Sequence, residues 1–130
     1  MRRYLPLNVD LGLLLLRLAL AAILLHHGIP KLMNFGGIVA GFGDMHVPVP
    51  AISAAVATLA ETLGAILILL GVAVDLAGLL VVIDMLGAII IVQLPKGFSG
   101  WEHEFAILAM ALTLALAGPG AYALGARRVG

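Results

Sequence analysis

A succession of apolar stretches, each close to the thickness of a bilayer and separated by short connections, restricts this chain more than any other feature. A helix that spans a membrane needs about 20 predominantly apolar residues. Leu11 to Met33 supplies the first stretch, Ala51 to Val74 the second, Leu76 to Leu94 the third, and Glu104 to Ala117 the fourth and shortest. Their ends are punctuated by helix breakers: Gly28 and Pro30 near the end of the first, Pro48 and Pro50 before the second with Ser53 as a candidate cap, Pro95 and Gly97 after the third, and Gly118, Pro119 and Gly120 after the fourth. Of 130 residues 63% are hydrophobic and 11% charged, with a mean hydropathy of +1.20, which is more apolar surface than a soluble domain of this size can bury. The expectation is an all-α fold in the cell membrane: a transmembrane bundle of four antiparallel helices, one domain over residues 1–130.

The connections refine this. Asn34 to Val49 carries Phe35, Phe42 and four glycines and reads as a short segment on the membrane surface. Barely a turn around Asp75 separates the second and third stretches, so those helices form a tight antiparallel hairpin. Arg2, Arg3, Arg127 and Arg128 lie on one side and Lys31 and Lys96 on the other, which by the positive-inside rule places both termini in the cytoplasm. Arg2 and Arg3 before an apolar run resemble the start of a signal peptide, but Arg17 interrupts the run and no cleavage site follows His26 and His27, so a retained helix is expected. Glu61-Thr62-Leu63-Gly64-Ala65-Ile66 echoes Asp84-Met85-Leu86-Gly87-Ala88-Ile89, but so narrow a composition supplies such matches by chance.

Charge and cysteine content exclude several functions. Seven Lys+Arg balance seven Asp+Glu with no basic stripe, which speaks against nucleic acid as a partner. With no cysteine, the chain has no disulfide exchange, thiolate nucleophile or cysteine-ligated cluster of its own.

Ionisable groups are costly in mid-membrane, about 2.5–3.5 kcal/mol each on insertion scales, so the few present are informative. Arg17, Glu61 and Asp84 fall inside the apolar stretches, and Gly64-Ala65 and Gly87-Ala88 share the faces of the two carboxylates, which allows close helix approach beside them. One reading has Arg17 bridging Glu61 and Asp84 as a buried ionic clasp that sets helix registry. The other makes the same groups a proton or ligand relay, since two carboxylates facing one arginine favour a protonated acid.

A second polar cluster gathers at the opposite end of the bundle from the arginine-rich termini. His26, His27 and Lys31 close the first helix, Gln93 and Lys96 the third, and Trp101, Glu102, His103 and Glu104 open the fourth. Arg17, Gly28 and Lys31 share a face at 3.6 residues per turn while His26 points away, so His27 and Lys31 are the better candidates. Interfacial anchoring explains such a cluster. So does a polar pocket for a quinone or another small amphiphile, with His27, Gln93 or His103 bonding a carbonyl or phenol and Glu104 exchanging protons. No metal set is expected, because His27, Glu102, His103 and Glu104 match no metal-binding spacing and Glu102-His103-Glu104 alternates around a helix, so that its side chains diverge.

The run RLALAAILLHHGIPKLMNFGG from Arg17 to Gly37, Glu61-Thr62-Leu63-Gly64 leading to Gly71, Asp84 through Leu94-Pro95-Lys96-Gly97-Phe98, then Glu104 and Gly118-Pro119-Gly120, resembles the DoxX family of small four-helix membrane proteins. Gln93 departs from the histidine more often found there. The family takes its name from a subunit of an archaeal thiosulfate:quinone oxidoreductase, and its members are associated with membrane oxidoreductase assemblies. The resemblance implies a membrane subunit or accessory of a quinone-linked oxidoreductase system, with Arg17, Glu61, Asp84 and Glu104 as recurrent polar positions. The expected partners are the bilayer, a redox protein and, through small residues on several helix faces, a further copy of the chain. Quinone is the expected cofactor, with none carried on the chain itself. A small transport or scaffold protein with a purely structural charged network is the alternative. A stand-alone catalyst fits least, because the sequence holds no cofactor motif or nucleophile dyad.

Overall fold

The computed structural model describes residues 4–125, so the terminal arginines that carried the orientation argument, Arg2, Arg3, Arg127 and Arg128, lie outside the described residues. Helix α1 (Val9–Met33) starts where the Asn8 side chain accepts a bond from the Leu11 amide at 3.0 Å, and it continues three residues past Pro30. Helix α2 (Phe35–Asp44) forms within the segment expected to lie on the membrane surface.

The second apolar stretch is divided into α3 (Pro50–Glu61) and α4 (Leu63–Leu70). Pro50 occupies the first helical position, where its missing N–H costs nothing. Ser53 lies inside the first turn rather than at the cap, and its hydroxyl donates to the Pro48 carbonyl. The break falls at Thr62, whose hydroxyl donates back to the Thr58 carbonyl at 2.6 Å, a bond that competes with the helical ladder and bends it. Gly71, at φ +72°, ends α4, with Gly71 N–H bonding Ile68 O and Val72 N–H bonding Leu67 O. Helix α5 (Val74–Gly87) then runs into a π-helical turn (Ala88–Gln93) and a 3-10 turn (Leu94–Lys96). Helix α6 (Phe98–Ala117) starts six residues before the expected Glu104, after Gly97 at φ +76°.

Among the described residues three stretches are long and apolar enough to cross a membrane, Val9–Met33, Pro50–Leu70 and Val74–Lys96, where four were expected. Helix α6 has 20 residues, but Glu102, His103 and Glu104 occupy its first two turns. At 1.5 Å per residue it is still about 30 Å long.

The apolar side chains sort into two populations. Leu20, Leu24, Ile68, Val81, Ile107 and Leu114 form a core between α1, α4, α5 and α6, whereas Leu15, Leu18, Ile66, Leu79, Leu86 and Ile90 face outward. An outer surface so rich in leucine and isoleucine is solvated by lipid, and the protein is a membrane protein. Without a hydrophobic drive between helices in lipid, close packing at small residues joins them. At Gly78 a Cβ would come within 2.7 Å of the Ala111 carbonyl oxygen on α6. At Gly28 a Cβ would overlap the Glu61 carbonyl, so α1 and α3 touch backbone to backbone beside Glu61. Gly64 faces Val81 and Ala77 of α5, but Gly87 meets nothing within 4 Å, so only the first of the two glycines beside the carboxylates serves helix contact.

Replacing Gly28 with alanine is expected to lower the unfolding free energy in detergent by about 2 kcal/mol, the usual scale of overpacking. Gly12→Ala, where a Cβ meets nothing within 4 Å, should leave the thermal midpoint unchanged.

Candidate functional site

The close approach at Gly28 brings α1 and α3 together where Lys31 and Glu61 meet. Lys31 Nζ lies 2.8 Å from Glu61 Oε1 and 3.3 Å from the His27 carbonyl oxygen, with the two side chains 21% and 6% exposed. This pair replaces the expected clasp of Arg17 with Glu61 and Asp84. Arg17 is 2% exposed and spends its guanidinium on backbone carbonyls instead: Nε to Ile68 O at 2.9 Å, Nη2 to Leu69 O at 2.8 Å, and Nη1 to Pro119 O at 3.1 Å and Tyr122 O at 2.9 Å. The reason is axial offset. Ile68 lies seven residues beyond Glu61, about 10 Å along the helix, whereas Gly28 packs on Glu61 and Lys31, three residues further along α1, reaches back to the carboxylate.

Beyond the ion pair, α1, α3, α5, the π turn and α6 enclose a cavity of about 440 Å³, roofed by Phe42, Met45 and Val47 from α2 and the residues after it. Leu24, Ile52, Val56, Ile83, Ile91 and Ile107 make its walls largely apolar. Its polar groups are His27 and Lys31 from α1, Glu61 from α3, Asp84 from α5, Gln93 from the π turn, and His103 and Glu104 from α6. Asp84 sits next to Glu61. Asp84 Oδ2 and Glu104 Oε2 are buried without a hydrogen-bond partner, and such atoms in a cavity call for a donor from a ligand or a proton. At the mouth, His27 Nε2 and His103 Nε2 lie 3.2 Å apart.

The other polar residues of this end stay outside. Lys96 is exposed in its 3-10 turn and takes no part in the wall, and His26 is exposed on α1. Trp101 meets Phe98 and Phe105 edge to face, with ring centroids 4.8 and 5.9 Å apart, an aromatic cluster of the type found at membrane interfaces.

Sequence reasoning overlooked the roof from α2 and the π turn. The signal for the first was present in the apolar Phe42, Met45 and Val47. The π turn has none, because it arises where Ala88–Gln93 winds into Pro95, and such turns often mark functional sites.

With this geometry in view, the DoxX family pattern matches residues 12–94. The chain belongs to the DoxX family. The matched stretch contains Arg17, Lys31, Glu61, Asp84 and Gln93, while Glu104 and Gly118-Pro119-Gly120 lie beyond it. The chain is also similar to a Bacillus subtilis (strain 168) protein named "Putative oxidoreductase CatD", 33% identical over 112 residues that cover 85% of this chain and 82% of the relative. Inner membrane protein YphA of Escherichia coli (strain K12) is 31% identical over 125 residues, covering 88% of this chain and 89% of the relative. No solved structure matches it significantly.

Two substitutions separate the roles of the charged groups. Arg17→Met strips donors from four carbonyls and should cost about 3 kcal/mol in detergent unfolding, with only part recovered in Arg17→Lys, whose ammonium has no fork to reach four oxygens. Glu61→Gln leaves the Lys31 ammonium without its counter-charge and should cost about 3 kcal/mol, while the double variant Lys31→Met/Glu61→Gln should regain most of it.

Proposed function

We propose that the protein is the membrane subunit or accessory of an oxidoreductase system and that its cavity receives the head group of a quinone. The observation that carries this reading is a space of about 440 Å³ with apolar walls and a few convergent polar groups, two of them with unpartnered buried oxygens. Small-molecule sites have this size and character. The oxidoreductase in the name of the Bacillus relative agrees with it.

In this reading the ring lies between the isoleucines of α3, α5 and the π turn, and the Gln93 amide or a mouth histidine donates to a quinone carbonyl. Reduction of the quinone to the quinol takes up two electrons and two protons. The electrons come from a redox protein bound at the membrane face, and Glu104 and Asp84 pass the protons. Four antiparallel helices, with α6 as the fourth span and both termini in the cytoplasm, put the mouth of the cavity at the outer face. The exposed Gly12 leaves room on α1 for a second copy of the chain.

The transport or scaffold reading draws on one observation, the Arg17 bonds to four backbone carbonyls, which are structural in character. The two readings differ in what the cavity binds.

The only tryptophan, Trp101, is two residues from the cavity-lining His103 and reports on the mouth. A short-chain quinone titrated into the purified protein should quench its fluorescence saturably, and Gln93→Leu/Glu104→Leu should weaken binding about tenfold or more, equivalent to ~1.4 kcal/mol. Linear quenching identical in both proteins would reject the quinone and leave the transport or scaffold reading.

A further inference from the structure

The two histidines at the mouth come from helices 76 residues apart in sequence, yet they aim the same ring atom at each other. Their Nε2 atoms are 3.2 Å apart, their ring centroids 5.2 Å, and their planes meet at 59°. Imidazoles meeting head-on across that nitrogen separation would hold their centroids about 5.5 Å apart, whereas rings converging on one ion at ~2.0–2.1 Å per nitrogen bring the centroids to about 5.2 Å and the nitrogens to about 3.3 Å. The observed pair has the convergent shape. At 3.2 Å the two nitrogens share one proton as a hydrogen bond when no ion lies between them.

We propose that His27 and His103 form a chelating pair for one divalent transition-metal ion of the zinc class at the mouth of the cavity. Neutral imidazole nitrogen favours Zn²⁺, Ni²⁺ and Cu²⁺ over Mg²⁺ or Ca²⁺. Among the described residues no third histidine or carboxylate completes a protein ligand set, so the protein fills two positions, one fewer than a usual catalytic zinc site, and water or an oxygen of a molecule in the cavity takes the others. The surroundings suit a cation. Glu104 lines the same cavity, and Glu61 offsets the ammonium of Lys31. Both histidines are exposed, so an ion reaches them from water without opening the bundle. The ion would also tie α1 to α6 across the mouth. His26 is adjacent in sequence and meets His27 edge to face at 5.3 Å, but it lies outside the cavity wall and is not a ligand.

This inference shares the mouth histidines with the quinone reading but is tested with the metal alone, so the two can fail separately. The full chain, carrying no histidine tag and stripped with a chelator, is titrated in detergent with Co²⁺ while the visible ligand-field absorbance is followed. Zn²⁺ is then added as competitor. One saturating equivalent displaced by Zn²⁺ is expected, with affinity at least tenfold weaker in His27→Gln and in His103→Gln and unchanged in His26→Gln. Zn²⁺ should raise the thermal midpoint of the wild-type protein and leave that of the two mouth variants where it was. No saturable binding of either ion below millimolar concentration in the wild-type chain, or wild-type affinity in a helical His27→Gln/His103→Gln double variant, overturns the proposal.

Discussion

One buried guanidinium closes an end of this bundle. Within a membrane every backbone polar group must find its partner inside the protein, and a helix that stops short of water leaves carbonyls exposed. The last turn of α4 stops in this way at Gly71, and so does the chain after α6 at Gly118. Arg17 answers both, with Nε and Nη2 on the α4 carbonyls of Ile68 and Leu69 and Nη1 on Pro119 and Tyr122. The Ala121 amide donates to Asp10 Oδ1, and Leu124 and Gly125 donate to the carbonyls of Leu70 and Gly71. The termini of α4 and α6 are thereby anchored to α1.

An anchored end allows the other end to be open. Toward Glu61 the helices are held by one backbone contact at Gly28 and one ion pair, and beyond them they enclose a space instead of packing shut. Several irregularities of the backbone lie around this space. Thr62 interrupts the second span beside Glu61, Ala88–Gln93 widens the third into a π turn, and the roof passes through His46 and Val49, both at positive φ. Positive φ at a β-branched valine is strained, and such strain gathers at functional sites.

The polar groups thus divide by level. At the Arg17 level every charge serves the backbone. At the Lys31 level one pair is closed and two carboxylate oxygens are left without partners, so the capacity to bind something remains there. The clasp expected between Arg17, Glu61 and Asp84 would have merged the two levels and left nothing to hold a ligand.

Length and apolarity of the spans are local properties that lipid reads directly, so the membrane setting, the all-helical architecture and a tight hairpin between the second and third spans were visible in the order of residues. The turn of that hairpin lies at residues 71–73 and not around Asp75, which falls in the first turn of α5. The identity of the polar positions was equally plain, because a charge in so apolar a chain stands out. Which of them meet was not. A one-residue difference in axial offset turns a side chain by 100° and shifts it 1.5 Å, and that offset is set by the approach of α1 to α3 at Gly28, by the break at Thr62 and by the π turn. Tertiary packing therefore decided that Glu61 takes Lys31 and not Arg17, that Lys96 stays outside the cavity, and that His27 faces His103.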